Sequence, residues 1–347
     1  MGTPLRVGVV GLSMGRYHIE RYRLHPDAMV QAICDTDCAL ARRTAADFGV
    51  PQVFCDFDEF LAKADIQAVS LVVPNIFHKP MTLAALDRGL HVLCEKPMAL
   101  NTAEALEMQA RVKSTGLKFM IHFNQRFRPE HLYFRKVIEG GDLGKIYYAS
   151  AGWRRMRNIP GLGGWFTQKA MSGGGPLIDL GVHMLDLTRW ITGRPRAITV
   201  SASTSSYLGT NIGLDLGKKF DVEDFANALI RFDNGMTLHL EVSWALNFED
   251  REKIFLELSG TEGGLSSLNY DYKDKHLYVF RDHGGVVTRT EPLLFPTSFE
   301  NGQQHFVNCI LHDREPDASA EDGVEIMRIL DAIYESAKLG HEVMVPH

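Results

Sequence analysis

What the chain has little of narrows the reading first. Its 347 residues include five cysteines, scattered without a CxxC pair, and no HExxH spacing occurs. Neither a disulfide framework nor a metal site is therefore expected. Cysteine used this sparingly suits a reducing cytoplasm. No apolar run exceeds strand length, so no membrane span is expected, and the chain enters an apolar segment after Met1 with no basic leader. A net charge of −6 with both signs intermixed offers no basic face for nucleic acid. What is left is a globular composition, 45% hydrophobic and 23% charged, in a chain long enough for two domains.

A glycine is missing from the first motif as well. Residues 5–10 form an apolar run of strand length, followed by Gly11-Leu12-Ser13-Met14-Gly15 and an amphipathic segment over 16–25. A strict G-x-G-x-x-G counted from Gly11 would need glycines where Ser13 and Arg16 stand. Strand, glycine turn and helix nonetheless aim backbone N–H groups and a helix N-terminus at a pyrophosphate, with Ser13 able to add its hydroxyl. Gly11, Ser13 and Met14 are accordingly expected to line a dinucleotide. The next strand, over 29–35, ends in Asp35, near the spacing of about 20 residues at which an acid reaches the adenosine ribose. A carboxylate there repels a 2′-phosphate, so NAD is expected rather than NADP.

The alternation continues with a strand at 68–73, the turn Pro74-Asn75-Ile76-Phe77-His78, a helix at 80–88 and a strand at 91–94. Glu95-Lys96-Pro97 then falls at the carboxyl end of a strand, where open parallel sheets bind ligands. A helix at 101–112 and a strand at 118–123 close a doubly wound parallel sheet, a Rossmann domain over 1–123. Lys96 reads either as a solvated surface lysine or, beside a nicotinamide and partly desolvated, as a proton-transfer group.

From 124 onward the pattern changes. A helix at 129–139 precedes strands at 146–156, 197–204, 226–232, 236–243 and 253–259, with a hairpin turn at Asp233-Asn234-Gly235 and a further hairpin over 277–290. An amphipathic helix at 321–339 ends the chain. This is an α+β domain over 124–347 with an open, mainly antiparallel sheet, one face of which needs a cover. A second copy of the chain, in a homodimer or homotetramer, is the expected cover. Residues 205–219 read as a long irregular arm or lid.

Within this domain Gly173-Gly174-Gly175-Pro176 opens a helix expected over 177–190. Asp179, His183 and Asp186 then share one face at i, i+4 and i+7. A carboxylate one turn from an imidazole can fix its tautomer and leave the other ring nitrogen for proton transfer. The same spacing also fits a packed core histidine with a capping acid.

The order of these segments resembles the Gfo/Idh/MocA family, the glucose–fructose oxidoreductase and inositol dehydrogenase type of NAD(P)-dependent oxidoreductase. The resemblance runs over nearly the whole chain. It rests on the Rossmann start, Pro74-Asn75 with His78, Glu95-Lys96-Pro97, the segment from Asn124 to Pro129, residues 173–186, and Asp322-Gly323. It implies that Lys96 lies near the nicotinamide and the reacting hydroxyl, joined by Asp179 and His183 as catalytic residues. It further implies that Pro74, Asn75, His78, Glu95 and Asn124 line the cofactor, that Trp165 sits by the substrate, and that the bond before Pro97 is cis. Arg126, Arg154 and Arg157 become substrate contacts, although arginines along a strand equally form a solvated face. The implied activity is hydride transfer between NAD and a secondary hydroxyl of a sugar, glycoside or inositol. His183 and Lys96 share the acid–base role in an order left open. Two alternatives stay in view: redox-neutral glycoside cleavage with tightly held NAD, and a dinucleotide-binding sensor.

Overall fold

The computed structural model describes residues 3–270, 274–296 and 299–347. They divide into two compact units, Met1–Phe123 with Glu300–Val324, and Asn124–Phe299 with Glu325–His347.

In the first unit strands and helices alternate: β1 (Leu5–Val10), α1 (Leu12–Tyr22), β2 (Ala28–Cys34), α2 (Cys38–Phe48), β3 (Gln52–Phe54), α3 (Phe57–Lys63), β4 (Ala68–Leu71), α4 (His78–Asp87), β5 (His91–Cys94), α5 (Thr102–Thr115) and β6 (Phe119–Ile121). The strands run parallel in the order β3-β2-β1-β4-β5-β6, the doubly wound sheet expected. Val7, Val9, Val69, Leu93 and Met120 are fully buried, as strands between helical crossovers must be. Asp37, Asp56 and Asn101 accept first-turn N–H groups of α2, α3 and α5, which fixes where each helix starts. The order reverses between β1 and β4. That switch point is where such a sheet takes its ligand, beyond the carboxyl ends of the strands.

The second unit contains α6 (Pro129–Glu139), β7 (Ile146–Arg155), α7 (Lys169–Ser172), α8 (Val182–Ile191), β8 (Ala197–Ser205), α9 (Tyr207–Asp215), β9 (Phe225–Phe232), β10 (Thr237–Ser243), β11 (Glu252–Gly260), β12 (Gly263–Tyr270), β13 (Asp274–His283) and β14 (Val286–Thr290). After them α10 (Gly302–Leu311) belongs to the first unit, the division falls within α11 (Ala320–Leu339), and β15 (Val343–Met344) joins the second. The sheet has the order β14-β13-β12-β11-β7-β10-β9-β8-β15 and is antiparallel except where β7 pairs with β10. Ala226, Ala228, Ile230 and Phe232 of β9 are buried in alternation, so that one face carries the core.

Four expectations are corrected. Residues 300–324, expected with the second domain, cluster with the first unit. The Ile121 N–H donates to Ala318 O at 2.9 Å, and Gly323 is packed so closely that a Cβ would collide with Ile121 and Met98. The helix expected over 177–190 begins as a π-helix, Leu177–Gly181, before α8, so one extra residue shifts the face arithmetic. The irregular stretch at 205–219 contains α9. Its glycine signal came from close packing, since a Cβ at Gly209 would enter the Phe220 ring and the Gly209 N–H donates to Asp224 Oδ2 at 2.6 Å.

The fourth correction concerns cysteine. Cys38 and Cys55 form a disulfide, while Cys34, Cys94 and Cys309 are free and buried. The start of α2 lies against the end of β3, with 5.2 Å between the two Cα atoms. A spacing of 17 residues across a helix and a strand forms no recognisable motif. A cross-link over a loop of this size stabilises by about 3 kcal/mol. The double variant Cys38→Ser/Cys55→Ser is therefore expected to melt several degrees lower, and added dithiothreitol to lower wild-type melting without affecting the variant.

Candidate active site

At the switch point β1 leads into Gly11, whose φ of 84° is left-handed and whose N–H donates to Cys34 O at 2.9 Å. A Cβ here would fall on the carbonyl oxygen of Val72, just after β4. Only glycine lets the two strand ends close up. α1 starts at once with Leu12 and has no side-chain cap, leaving exposed Ser13 and Met14 in its first turn. Gly15 does what a third fingerprint glycine does, since its Cβ would stand 3.0 Å from Val9 Cγ1 where helix packs on strand. Asp35 closes the loop from the other side: Oδ2 accepts from Leu12 N at 2.7 Å and Oδ1 from Asp37 N at 2.8 Å. A helix start whose N-cap residue is a glycine without a capping side chain, a glycine-lined approach and a carboxylate at the second strand end fit a dinucleotide without a 2′-phosphate.

The neighbouring loops are braced. His78 is fully buried with Nδ1 2.7 Å from Pro97 O and Nε2 2.9 Å from Val73 O. Burial holds its ring below the usual imidazole range, against the pull of those two carbonyls. It thereby ties the turn that carries Pro74 and the buried Asn75 to the cis Lys96–Pro97 bond. Lys96 is half-buried and its backbone N–H donates to Glu95 Oε2 at 3.3 Å. Glu95 Oε1 lies 2.8 Å from His18 Nε2 and 2.6 Å from His122 Nδ1. Sequence reading missed both histidines. His122 did carry a signal, being a titratable residue just beyond the carboxyl end of a parallel strand.

The second unit has a buried carboxylate of its own. Glu223 Oε1 accepts from Gly175 N at 2.9 Å, Leu177 N at 3.1 Å and the Tyr334 hydroxyl at 3.0 Å. Burial raises the Glu223 carboxyl despite these donors, and burial together with Glu223 raises the Tyr334 phenol. A Cβ at Gly174 would strike the Tyr334 hydroxyl, and one at Gly175 the Glu223 carbonyl. The triple glycine is thus there for close approach, and it launches the π-helix that carries Asp179.

Asp179 Oδ2 accepts from Trp244 Nε1 at 3.0 Å, with the Arg155 guanidinium at 3.9 Å. Arg155 Nε and Trp153 Nε1 each donate to Glu252 Oε1 at 2.7 Å. The buried His183 ring lies 5.9 Å from the Trp153 ring, centroid to centroid. Trp165 stacks on Phe166, which meets Trp244 edge-on. Asp179, His183 and Arg155 thus gather within an aromatic wall.

The other predicted arginines are placed differently. Arg126 is buried and pairs twice with Asp186, Nε to Oδ2 at 3.0 Å and a terminal nitrogen to Oδ1 at 2.5 Å. Arg154 alternates with Arg155 along β7 and so points to the opposite sheet face, toward Glu241, Phe248 and Phe255. Arg157 donates to Met156 O, Leu246 O and Asn247 Oδ1, tying two chain segments together. Asn124 is exposed at the start of a short 3-10 turn.

Comparison with known proteins bears on both units. Residues 5–123 match the family profile described as an oxidoreductase family with an NAD-binding Rossmann fold, and residues 131–266 match the GFO/IDH/MocA C-terminal domain. D-glucoside 3-dehydrogenase of Escherichia coli K12 is 30% identical over 98% of this chain and 97% of its own. Inositol 2-dehydrogenase of Corynebacterium glutamicum is 29% identical, covering 89% and 87%. A levoglucosan dehydrogenase solved in complex with NADH and L-sorbose superposes with a TM-score of 0.87 at 25% identity, over 100% of each chain. Among the described residues no helix is long and apolar enough to cross a membrane.

Proposed function

The chain belongs to the GFO/IDH/MocA family of NAD-binding oxidoreductases, and from that premise we propose that it oxidises one secondary hydroxyl of a sugar, glycoside or inositol. The observation that carries this reading is Asp179, set by Trp244 and Arg155 on the π-turn directly before the helix of His183. NAD, when bound, supplies the hydride acceptor. Gly11, the start of α1 and Asp35 would hold its pyrophosphate and ribose ends, and the turn braced by His78 carries the residues that would line it.

His183 takes the hydroxyl proton as hydride leaves carbon, because the alkoxide-like charge is costly without an aligned base. Asp179 orients that acid–base step and accepts from a neighbouring substrate hydroxyl, while the hydrogen bond from Trp244 and the charge of the Arg155 guanidinium keep its direction fixed. Lys96 donates to the reacting oxygen. Trp165 offers an apolar sugar-facing plane. Arg126 holds the segment around it through Asp186, and Arg155 rather than Arg154 is the arginine assigned to the substrate side. A second copy of the chain is assigned to the half-exposed sheet face that carries Arg154, His239 and Glu241.

The test is NADH formation across a panel of inositols, aldoses and glycosides, with NAD and NADP in parallel. Turnover with NAD is expected. A preference for NADP would sink the assignment of Asp35. Bound NAD with silence across the panel would move the reading to redox-neutral or sensory chemistry.

A further inference from the structure

The first unit holds a cluster that hydride transfer does not require. His18 and His122 are 1% and 4% exposed and stand edge to face with ring centroids 4.7 Å apart. Both point a ring nitrogen at one oxygen of Glu95, whose other oxygen receives the Lys96 N–H. The donors can be followed outward. On one side Tyr22 lies 2.8 Å from Ser70 Oγ, which lies 3.3 Å from His18 Nδ1. Two hydroxyls in series can donate toward His18, so that ring is satisfied when neutral and donating only to Glu95.

The other side is different. His122 Nε2 faces the side-chain amide of Gln303, with Nε2 to Nε2 at 3.2 Å, and Gln303 is fully buried with its Oε1 lacking a partner among the described residues. An orphaned buried carbonyl is costly. A half-turn of the amide would bring that oxygen to His122 Nε2, where it accepts a second ring proton. With its N–H end forward the amide serves a neutral His122; with its oxygen forward it serves an imidazolium. The Ser70 hydroxyl can also turn to accept from His18 Nδ1, but burial holds the His18 ring below the usual imidazole range, so the change of charge is assigned to His122.

We propose that His122, held between Glu95 and Gln303, stores a proton whose presence is coupled to the charge of the bound nicotinamide. The inference rests on the NAD-binding reading above and on the nicotinamide lying beyond the carboxyl end of β5, beside Glu95 and Lys96. With His122 neutral the cluster carries the Glu95 charge and favours the cationic oxidised ring. With His122 protonated the cluster is neutral and that preference is lost. Linkage is reciprocal, so the reduced cofactor raises the proton affinity of His122 by the same factor.

Other titratable groups face the cluster and do not share this behaviour. Burial raises the Tyr22 phenol behind Ser70 and the Cys94 thiol on β5, and lowers the rings of His18 and His78. Burial works to raise the Glu95 carboxyl as well, but His122 and the two imidazole hydrogen bonds outweigh it and hold it well below the usual range. The Lys96 side chain is common to both states.

The experiment measures Kd for NAD+ and for NADH separately, by fluorescence titration of the full-length protein from about pH 6 to about pH 8.5. The ratio Kd(NAD+)/Kd(NADH) is expected to rise about tenfold toward acid pH, the size of a charge interaction across about 12 Å at an effective dielectric constant of about 20. His122→Asn keeps an N–H for Glu95 but cannot titrate, and should show a flat ratio fixed at the alkaline value. Gln303→Leu removes the acceptor of the imidazolium and should move the transition toward acid by about one pH unit. Imidazole NMR of the apoprotein supplies the second readout, with the His122 resonance titrating in the wild type.

A pH-independent wild-type ratio, or an unchanged transition in His122→Asn, overturns the proposal. So does a divalent cation that co-purifies and is removed by chelator together with the pH dependence, since the three donors lie within 4.8 Å of one another. Failure to bind either form of the cofactor would instead strike the NAD reading itself.

Discussion

His183→Asn is expected to lower kcat for alcohol oxidation about 1,000-fold and to abolish the acid limb of the kcat/KM profile, with NAD affinity unchanged. Positioned acid–base catalysis contributes about 100- to 10,000-fold, and a 1,000-fold loss is about 4 kcal/mol of barrier. The limb is the more telling readout. If His183 accepts the hydroxyl proton, asparagine can hold a place in the aromatic wall beside Trp153 but cannot take the proton at any pH. Lys96→Met should cut kcat to a similar extent, because its ammonium no longer steadies the developing alkoxide, yet should leave the limb in place. The opposite pattern, a limb lost in Lys96→Met and kept in His183→Asn, would exchange the two roles.

Gly11→Ala is expected to weaken NAD binding about 100-fold, or about 2.8 kcal/mol, while the melting temperature changes much less. Two costs add. Alanine at a φ of 84° loses about 1–2 kcal/mol to the left-handed conformation. Its Cβ also falls on the Val72 carbonyl, which belongs to a strand end and cannot swing aside as a flexible side chain would. To relieve the contact Gly11 must move, and with it the Leu12 N–H that Asp35 holds. Displacing this one loop spoils the helix start and the ribose acid together. Calorimetric titration with NAD checks the affinity, and circular dichroism checks the fold. Unchanged affinity would mean that the pyrophosphate does not rest on this turn.

The first unit was legible because its physics is local. Apolar runs flanked by glycine and capping residues mark a parallel strand and its helix without help from distant chain, and Asp37, Asp56 and Asn101 cap where such residues should. What escaped the sequence depends on partners far along the chain. The pairing of Arg154 or Arg155 with the substrate side is a question of strand parity; alternation was evident, but which face Asp179 occupies was not. The π-turn at Leu177–Gly181 has no compositional mark, since its glycines and apolar residues suit an α-helix equally well. α9 was hidden because Gly209 and Gly213 read as loop, whereas both make room for the Phe220–Lys218 return. His122 sat in view at a strand end, but its meaning waits on Gln303, far beyond it in the sequence.

That last separation bears on how the protein is made. β6 lacks a full set of partners until Ala318 accepts the Ile121 N–H, and His122 until Gln303 arrives. At a synthesis rate of about 5–20 residues per second, the intervening stretch of roughly 200 residues takes about 10–40 s to emerge. Through that interval the nascent Rossmann sheet carries an unfinished edge beside the buried Glu95 cluster. The first domain to leave the ribosome therefore waits for almost the whole chain before it is complete, and a nascent chain stalled short of residue 318 should remain protease-sensitive at β6 while β1 and β4 are already protected.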